Sequence, residues 1–87
     1  MTIRVEFFGI PRARANVPVL DVEADTLGEL LQQVVRQIPQ LAECCISENR
    51  LRDGYLANIN AQTFTSDPAT LLQSGDTVLI LSADVGG

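Results

Sequence analysis

Ala24-Asp25-Thr26-Leu27-Gly28-Glu29-Leu30-Leu31 opens the clearest helix in this sequence. Thr26 followed three residues later by Glu29 is a capping box, in which a hydroxyl and a carboxylate each satisfy a backbone N–H that the helix leaves unpaired. Leu27, Leu30, Leu31, Val34, Val35 and Ile38 recur at helical spacing and make one apolar stripe. Pro39 stops the run. A stripe on one side of a helix has to bury against a second layer, and the flanking sequence has to supply it.

Upstream, Thr2 to Phe8 alternates, with Ile3, Val5 and Phe7 on one side and Thr2, Arg4 and Glu6 on the other. This predicts a half-buried strand. Phe8 breaks the alternation, and Gly9 with Pro11 ends the run. Arg12-Ala13-Arg14-Ala15-Asn16 reads as a polar connector, and residues 17–22 as a second strand. Pro18 near its start fits a sheet edge. Two successive strands on a short link pair as an antiparallel hairpin.

Downstream, Leu41, Cys44, Cys45 and Ile46 suggest a short second helix within residues 40–49, followed by a polar loop over 50–54 that closes on Asp53-Gly54. Residues 55–60 read as a third strand, in which Leu56 and Ile59 share a face only if the strand bends. A very short strand is expected around Phe64. Asp67-Pro68 and Ser74-Gly75-Asp76 are turn signals around Leu71 and Leu72, both expected to plug the edge of the core. The order is strand, strand, helix, short helix, strand, short strand, strand. This is an α+β chain whose single long helix covers one face of the sheet and leaves the other open.

The last strand carries the functional signal. Thr77-Val78-Leu79-Ile80-Leu81 is apolar on both sides, so one pair faces the helix and the other pair, Leu79 and Leu81, is expected on the open face as a docking patch. Ser82-Ala83-Asp84-Val85-Gly86-Gly87 continues a strand poorly and predicts a flexible tail over 82–87. Six extended residues reach roughly 20 Å. Glycines carry no side chain to block entry into a narrow slot on another protein.

Composition narrows the chemistry. The 87 residues make one domain, and 46% hydrophobic content supports a folded, soluble core. No leader is expected, since the strand pattern starts at Thr2, and no run is apolar enough for a membrane span. Net charge is −5 with six basic residues, which argues against nucleic acid and anionic membranes as partners. Histidine is absent, which removes the commonest general base and metal ligand. Lysine is absent as well, which excludes Schiff-base chemistry and chains built through this protein's own side-chain amines. Cys44 and Cys45 are adjacent and cannot close an ordinary disulfide loop. Free thiols, half buried on a helix in a reducing, cytoplasmic setting, are the expectation.

Phe7-Phe8 at the end of the first strand, Ala24 to Leu31 at the helix start, Gly75-Asp76-Thr77-Val78 at the start of the last strand and the closing Gly86-Gly87 together resemble the MoaD/ThiS family of sulfur carriers. The resemblance covers essentially the whole chain. The segment between Pro39 and Gly54 looks more like the molybdopterin synthase small subunit than the shorter thiamine-pathway carrier. It implies a ubiquitin-like β-grasp fold, with a mixed sheet of four to five strands and one long helix on one face.

The same resemblance implies a protein co-substrate with no bound cofactor. An E1-like adenylyltransferase would use ATP and Mg²⁺ to adenylate the Gly87 carboxylate, and a persulfide would then convert it to a thiocarboxylate. A sulfur-accepting enzyme, such as a synthase large subunit, would receive the sulfur. Gly86, Val85 and Asp84 would enter the partner's channel, and Leu79, Leu81 and Phe8 would dock. Three positions depart from the family pattern. Ala61 stands where a tight turn often has glycine, Ser82 replaces a frequent proline, and Asp84 charges a tail that is more often apolar. Cysteine synthesis and specialised-metabolite sulfur transfer use the same carrier chemistry. A ubiquitin-like modifier joined through Gly87 and a non-covalent interaction module remain as alternatives.

Overall fold

The computed structural model describes residues 2–83. Strand β1, Thr2–Phe8, buries Ile3, Val5 and Phe7. Phe8 keeps the alternation, with its ring outward and 52% exposed. The expected polar connector is instead a short helix, α1, Ile10–Ala15. Gly9 turns the chain at φ 73°. Pro11 occupies the first turn, where its missing N–H costs nothing. Asn16 ends the helix in the left-handed region, its N–H donating to the Arg12 carbonyl at 3.2 Å. Pro11 and Ala15 are buried. Six residues are too few to show a helical period, so the sequence pattern carries no trace of α1.

Strand β2, Val19–Glu23, pairs antiparallel with β1 and forms a sheet edge, as Pro18 indicates. Helix α2, Leu27–Gln37, has its predicted cap: the Glu29 N–H donates to Thr26 Oγ1 at 3.2 Å, and Glu29 Oε1 accepts from the Asp25 N–H at 3.1 Å. Leu27, Leu30, Leu31 and Val34 are fully buried, Ile38 nearly so, and Val35 packs at the margin. The loop after β6 (Thr63–Thr65) crosses the helix start. There the N–H groups of Leu27 and Gly28 donate to the carbonyls of Thr70 and Pro68, both at 2.9 Å. Leu72 is buried beneath this crossing, but Leu71 is 79% exposed, so only one of the two leucines plugs the core. Thr26 and Leu71 form an isolated bridge that holds the Leu71 backbone at the surface.

The second helix expected after Pro39 is a 3-10 helix, Pro39–Glu43. A small antiparallel hairpin follows, β3 (Ile46–Ser47) with β4 (Arg50–Leu51), in place of the polar loop. Its turn carries Glu48 at φ 59°. Cys44 is half-buried beyond the 3-10 helix and Cys45 fully buried, so neither thiol sits on an α-helix.

Strand β5, Tyr55–Ile59, needs no bend. Tyr55, Ala57 and Ile59 pack on the core, while Leu56 and Asn58 alternate to the other face. Strand β7, Thr77–Ser82, lies at the centre of the sheet, parallel to β1 and antiparallel to β5. The order is β2-β1-β7-β5-β6, a mixed five-stranded sheet with α2 on one face. Val78 and Ile80 are fully buried against the helix. The strand runs one residue past its expected end, because Ser82 pairs with Tyr55. No helix among the described residues is long and apolar enough to cross a membrane.

Candidate functional site

The sheet face away from α2 is ordered by register. Phe8 of β1 lies opposite Leu81 of β7, and Leu81 lies opposite Leu56 of β5. One step along the strands, Val19, Glu6, Leu79, Asn58 and Phe64 follow one another across all five strands. One step further, Asp21, Arg4 and Thr77 make the next row polar. The Arg4 guanidinium reaches Glu6 at 3.1 Å, but both side chains are well exposed and such a pair contributes little to stability. The face is therefore graded, polar where β7 begins and apolar where β7 ends.

The three docking residues expected from sequence share this face. Phe8 is exposed, and Leu79 and Leu81 are half-buried. Leu56 and Phe64, the latter 62% exposed, extend the patch and escaped the sequence reading. Their signal was present in the alternation of Leu56 with Ala57. The cross-strand register that aligns Leu56 with Leu81 cannot be read from one strand alone.

The end of β7 is tied down by one short bond, the Ala83 N–H to the Gly54 carbonyl at 2.6 Å. Beside it is an open cleft of about 410 Å³ lined by Ile10, Asp53, Gly54, Tyr55, Ser82 and Ala83. Ser82 is 2% exposed, and its Oγ has no hydrogen-bond partner among the described residues. An orphaned buried hydroxyl costs on the order of 1–3 kcal/mol. Asp84, Val85, Gly86 and Gly87, the expected tail residues, lie outside the described residues.

The other end of β7 is set by Asn60 and Asp76. The Asn60 side chain accepts the Thr77 N–H at 2.8 Å and donates to Asp76 Oδ1 at 2.9 Å. Asp76 Oδ2 accepts the Gln73 N–H at 2.8 Å. These contacts fix where β7 enters the sheet and, through its register, where it leaves. Among the described residues no group of three or more Cys, Asp or Glu side chains has the arrangement of a metal site. What the face offers is an apolar row at the end where β7 leaves the sheet.

No family model matches the chain, and no curated protein matches it by sequence. Solved structures do match in fold. SAMP1, the small archaeal modifier protein 1 of Haloferax volcanii, matches with a TM-score of 0.81 at 19% identity, covering 100% of both chains. A chain of the Amycolatopsis orientalis BexX/CysO complex matches at 0.79 and 19% identity, covering 98% of this chain and 99% of that one. A chain of the complex of subunits 1 and 2 of molybdopterin-converting factor from Helicobacter pylori 26695 matches at 0.67 and 22%, covering 100% of both.

Proposed function

We propose, from the ubiquitin-like β-grasp fold shared with these small proteins along the whole chain, that this chain is a sulfur carrier charged at the Gly87 carboxylate. The observation that carries the reading is the placement of the Phe8–Leu81–Leu56 row. It lies on the helix-free face, at the end of β7 from which the chain continues to Gly86-Gly87. A partner resting on that row has the diglycine segment within reach of its active site. The carboxylate is a poor electrophile. An E1-like adenylyltransferase would join it to AMP from ATP with Mg²⁺, releasing pyrophosphate. A persulfide sulfur would then displace AMP, and reductive cleavage of the S–S bond by a thiol would leave the thiocarboxylate. A sulfur-accepting enzyme is the second partner. Two of the fold neighbours come from two-protein complexes, which supports protein partners.

The name of the Haloferax neighbour, a modifier protein, supports a second reading, attachment of Gly87 to amines on other proteins. Activation is common to both readings, and only the fate of the acyl group differs. Intact mass of the protein isolated with an untagged carboxyl end decides between them. Replacement of one oxygen by sulfur on a chain ending at Gly87 supports the carrier. Isopeptide adducts on foreign proteins support the modifier. Deleting Gly86 and Gly87 should leave the fold intact and abolish charging. A truncated protein that still functions in the cell would sink both.

A further inference from the structure

Cys44 and Cys45 sit between the 3-10 helix and β3, and their sulfurs stand 2.9 Å apart. A disulfide bond of about 2.05 Å asks them to close by less than about 1 Å. The backbone around them is held from two sides. The Cys45 N–H donates to the Leu41 carbonyl at 2.9 Å, and the Cys45 carbonyl accepts the Arg52 N–H at 2.8 Å. Access to the two sulfurs is unequal, with Cys44 half-buried and Cys45 fully buried. We propose that Cys44 and Cys45 form a two-electron redox site that closes reversibly to a vicinal disulfide, with a peroxide as the oxidant.

The steps follow from the unequal access. The Cys44 sulfur attacks one oxygen of hydrogen peroxide and the O–O bond breaks. The departing hydroxide takes the Cys44 thiol proton and leaves as water, so that Cys44 carries a sulfenic acid. The Cys45 sulfur then attacks the Cys44 sulfur. The S–S bond forms, the S–O bond breaks, and the hydroxide leaves with the Cys45 proton as a second water. The two thiols lose two electrons and the peroxide gains them. Burial, with the hydrogen bond to Cys44, pushes the Cys45 thiol up to about 12, so Cys45 is the weaker nucleophile and Cys44 the first to react. Reversibility follows from geometry. Adjacent Cα atoms are about 3.8 Å apart across a trans peptide, short of the usual disulfide range of about 4.4–6.8 Å, and a bond closed outside that range is readily reduced. This site is independent of any chemistry at Gly87.

The test treats the full chain with a small excess of hydrogen peroxide, then denatures and alkylates it for intact mass and peptide mapping. The expected product is a monomer lighter by two hydrogens, refractory to alkylation at both cysteines and restored by dithiothreitol. Cys44→Ser should lose that product entirely. Cys45→Ala keeps an apolar side chain in the core and should stop at the Cys44 sulfenic acid, trapped by dimedone. Disulfide-linked dimers, sulfinic acid on Cys44 with Cys45 still alkylatable, or unmodified thiols would each overturn the proposal, as would a Cys45→Ala protein with no trappable sulfenic acid.

Discussion

Phe8 and Leu81 stand directly opposite one another across the parallel β1–β7 ladder, on the face that α2 leaves uncovered. The pair joins the first strand to the last at the end where β7 leaves the sheet. Phe8→Asp puts a charge in the exposed half of the pair. Its effect on folding should stay within about 1 kcal/mol, measured by urea titration. Affinity for the activating or receiving enzyme should fall at least about tenfold by calorimetry, as for a buried aromatic anchor. Unchanged affinity would remove this row from the docking face.

The β5–β6 turn stores strain at a residue that the fold does not require. Asn60 and Ala61 have φ of 54° and 61°, and the Gln62 N–H closes the turn on the Ile59 carbonyl at 2.9 Å. Asn60 tolerates this region and uses its side chain to fix Thr77 and Asp76. Ala61 gains nothing visible in return. Ala61→Gly should therefore raise stability by about 1 kcal/mol, seen as a higher urea midpoint at constant slope. Asn60→Gly should have the opposite sign, since it relaxes φ but abandons two hydrogen bonds.

Gly28 owes its place to the chain crossing above it. A Cβ there would lie 3.2 Å from both the Cβ and the carbonyl oxygen of Pro68, and 3.4 Å from Asn49 Nδ2. Gly28→Val should cost roughly 1–3 kcal/mol through this overpacking, although valine is tolerated in helices. Thr26→Ala, which loses the cap alone, should cost about 1 kcal/mol. Thermal melts of the two variants, alone and each combined with Pro68→Gly, separate crossing from cap: removing the Pro68 Cβ should ease the first and leave the second unchanged.

Stability should decline in alkali through Cys45. Its folded-state thiol holds its proton to about 12, against 9.0 for a free thiol. As pH rises past about 9 the unfolded chain gives up this proton first, so the contribution is complete below 9 and drains away between 9 and 12. The slope should approach at most about 1.4 kcal/mol per pH unit. Urea midpoints for the reduced protein and for Cys45→Ala, compared at about pH 8 and about pH 10.5, check this. A decline of equal steepness in the variant would assign it to other groups.

The elements read well from sequence were those with enough residues to show a period. Helix α2 announced itself through Thr26, Glu29 and six apolar positions, β1 through alternation, and β7 through a run of strand-favouring apolar residues. Helix α1 and the β3–β4 hairpin are too short to repeat, and depend on Gly9, Asn16 and Glu48 taking positive φ, a choice made by their surroundings. Leu71 and Leu72 look identical in sequence, and only the crossing over α2 turns one in and one out. The proposed docking face was half legible: Leu79 and Leu81 fall on one side of β7 together, but a strand apolar on both sides does not say which side that is. Leu56 and Phe64 join them only through register. Ser82 reads as a poor strand former, yet its pairing with Tyr55 extends β7.

The position of β7 sets the order in which this protein can be completed. Without it, β2 with β1 and β5 with β6 are two separate hairpins, and nothing joins the halves of the sheet. The ribosome makes that joining segment after every other strand, so most of the apolar interior waits unsheltered until translation reaches Thr77. A nascent chain stalled before that point would be prey for chaperones and proteases. The strand at the centre of the helix-free face is thus also the keystone, made after the strands on either side of it.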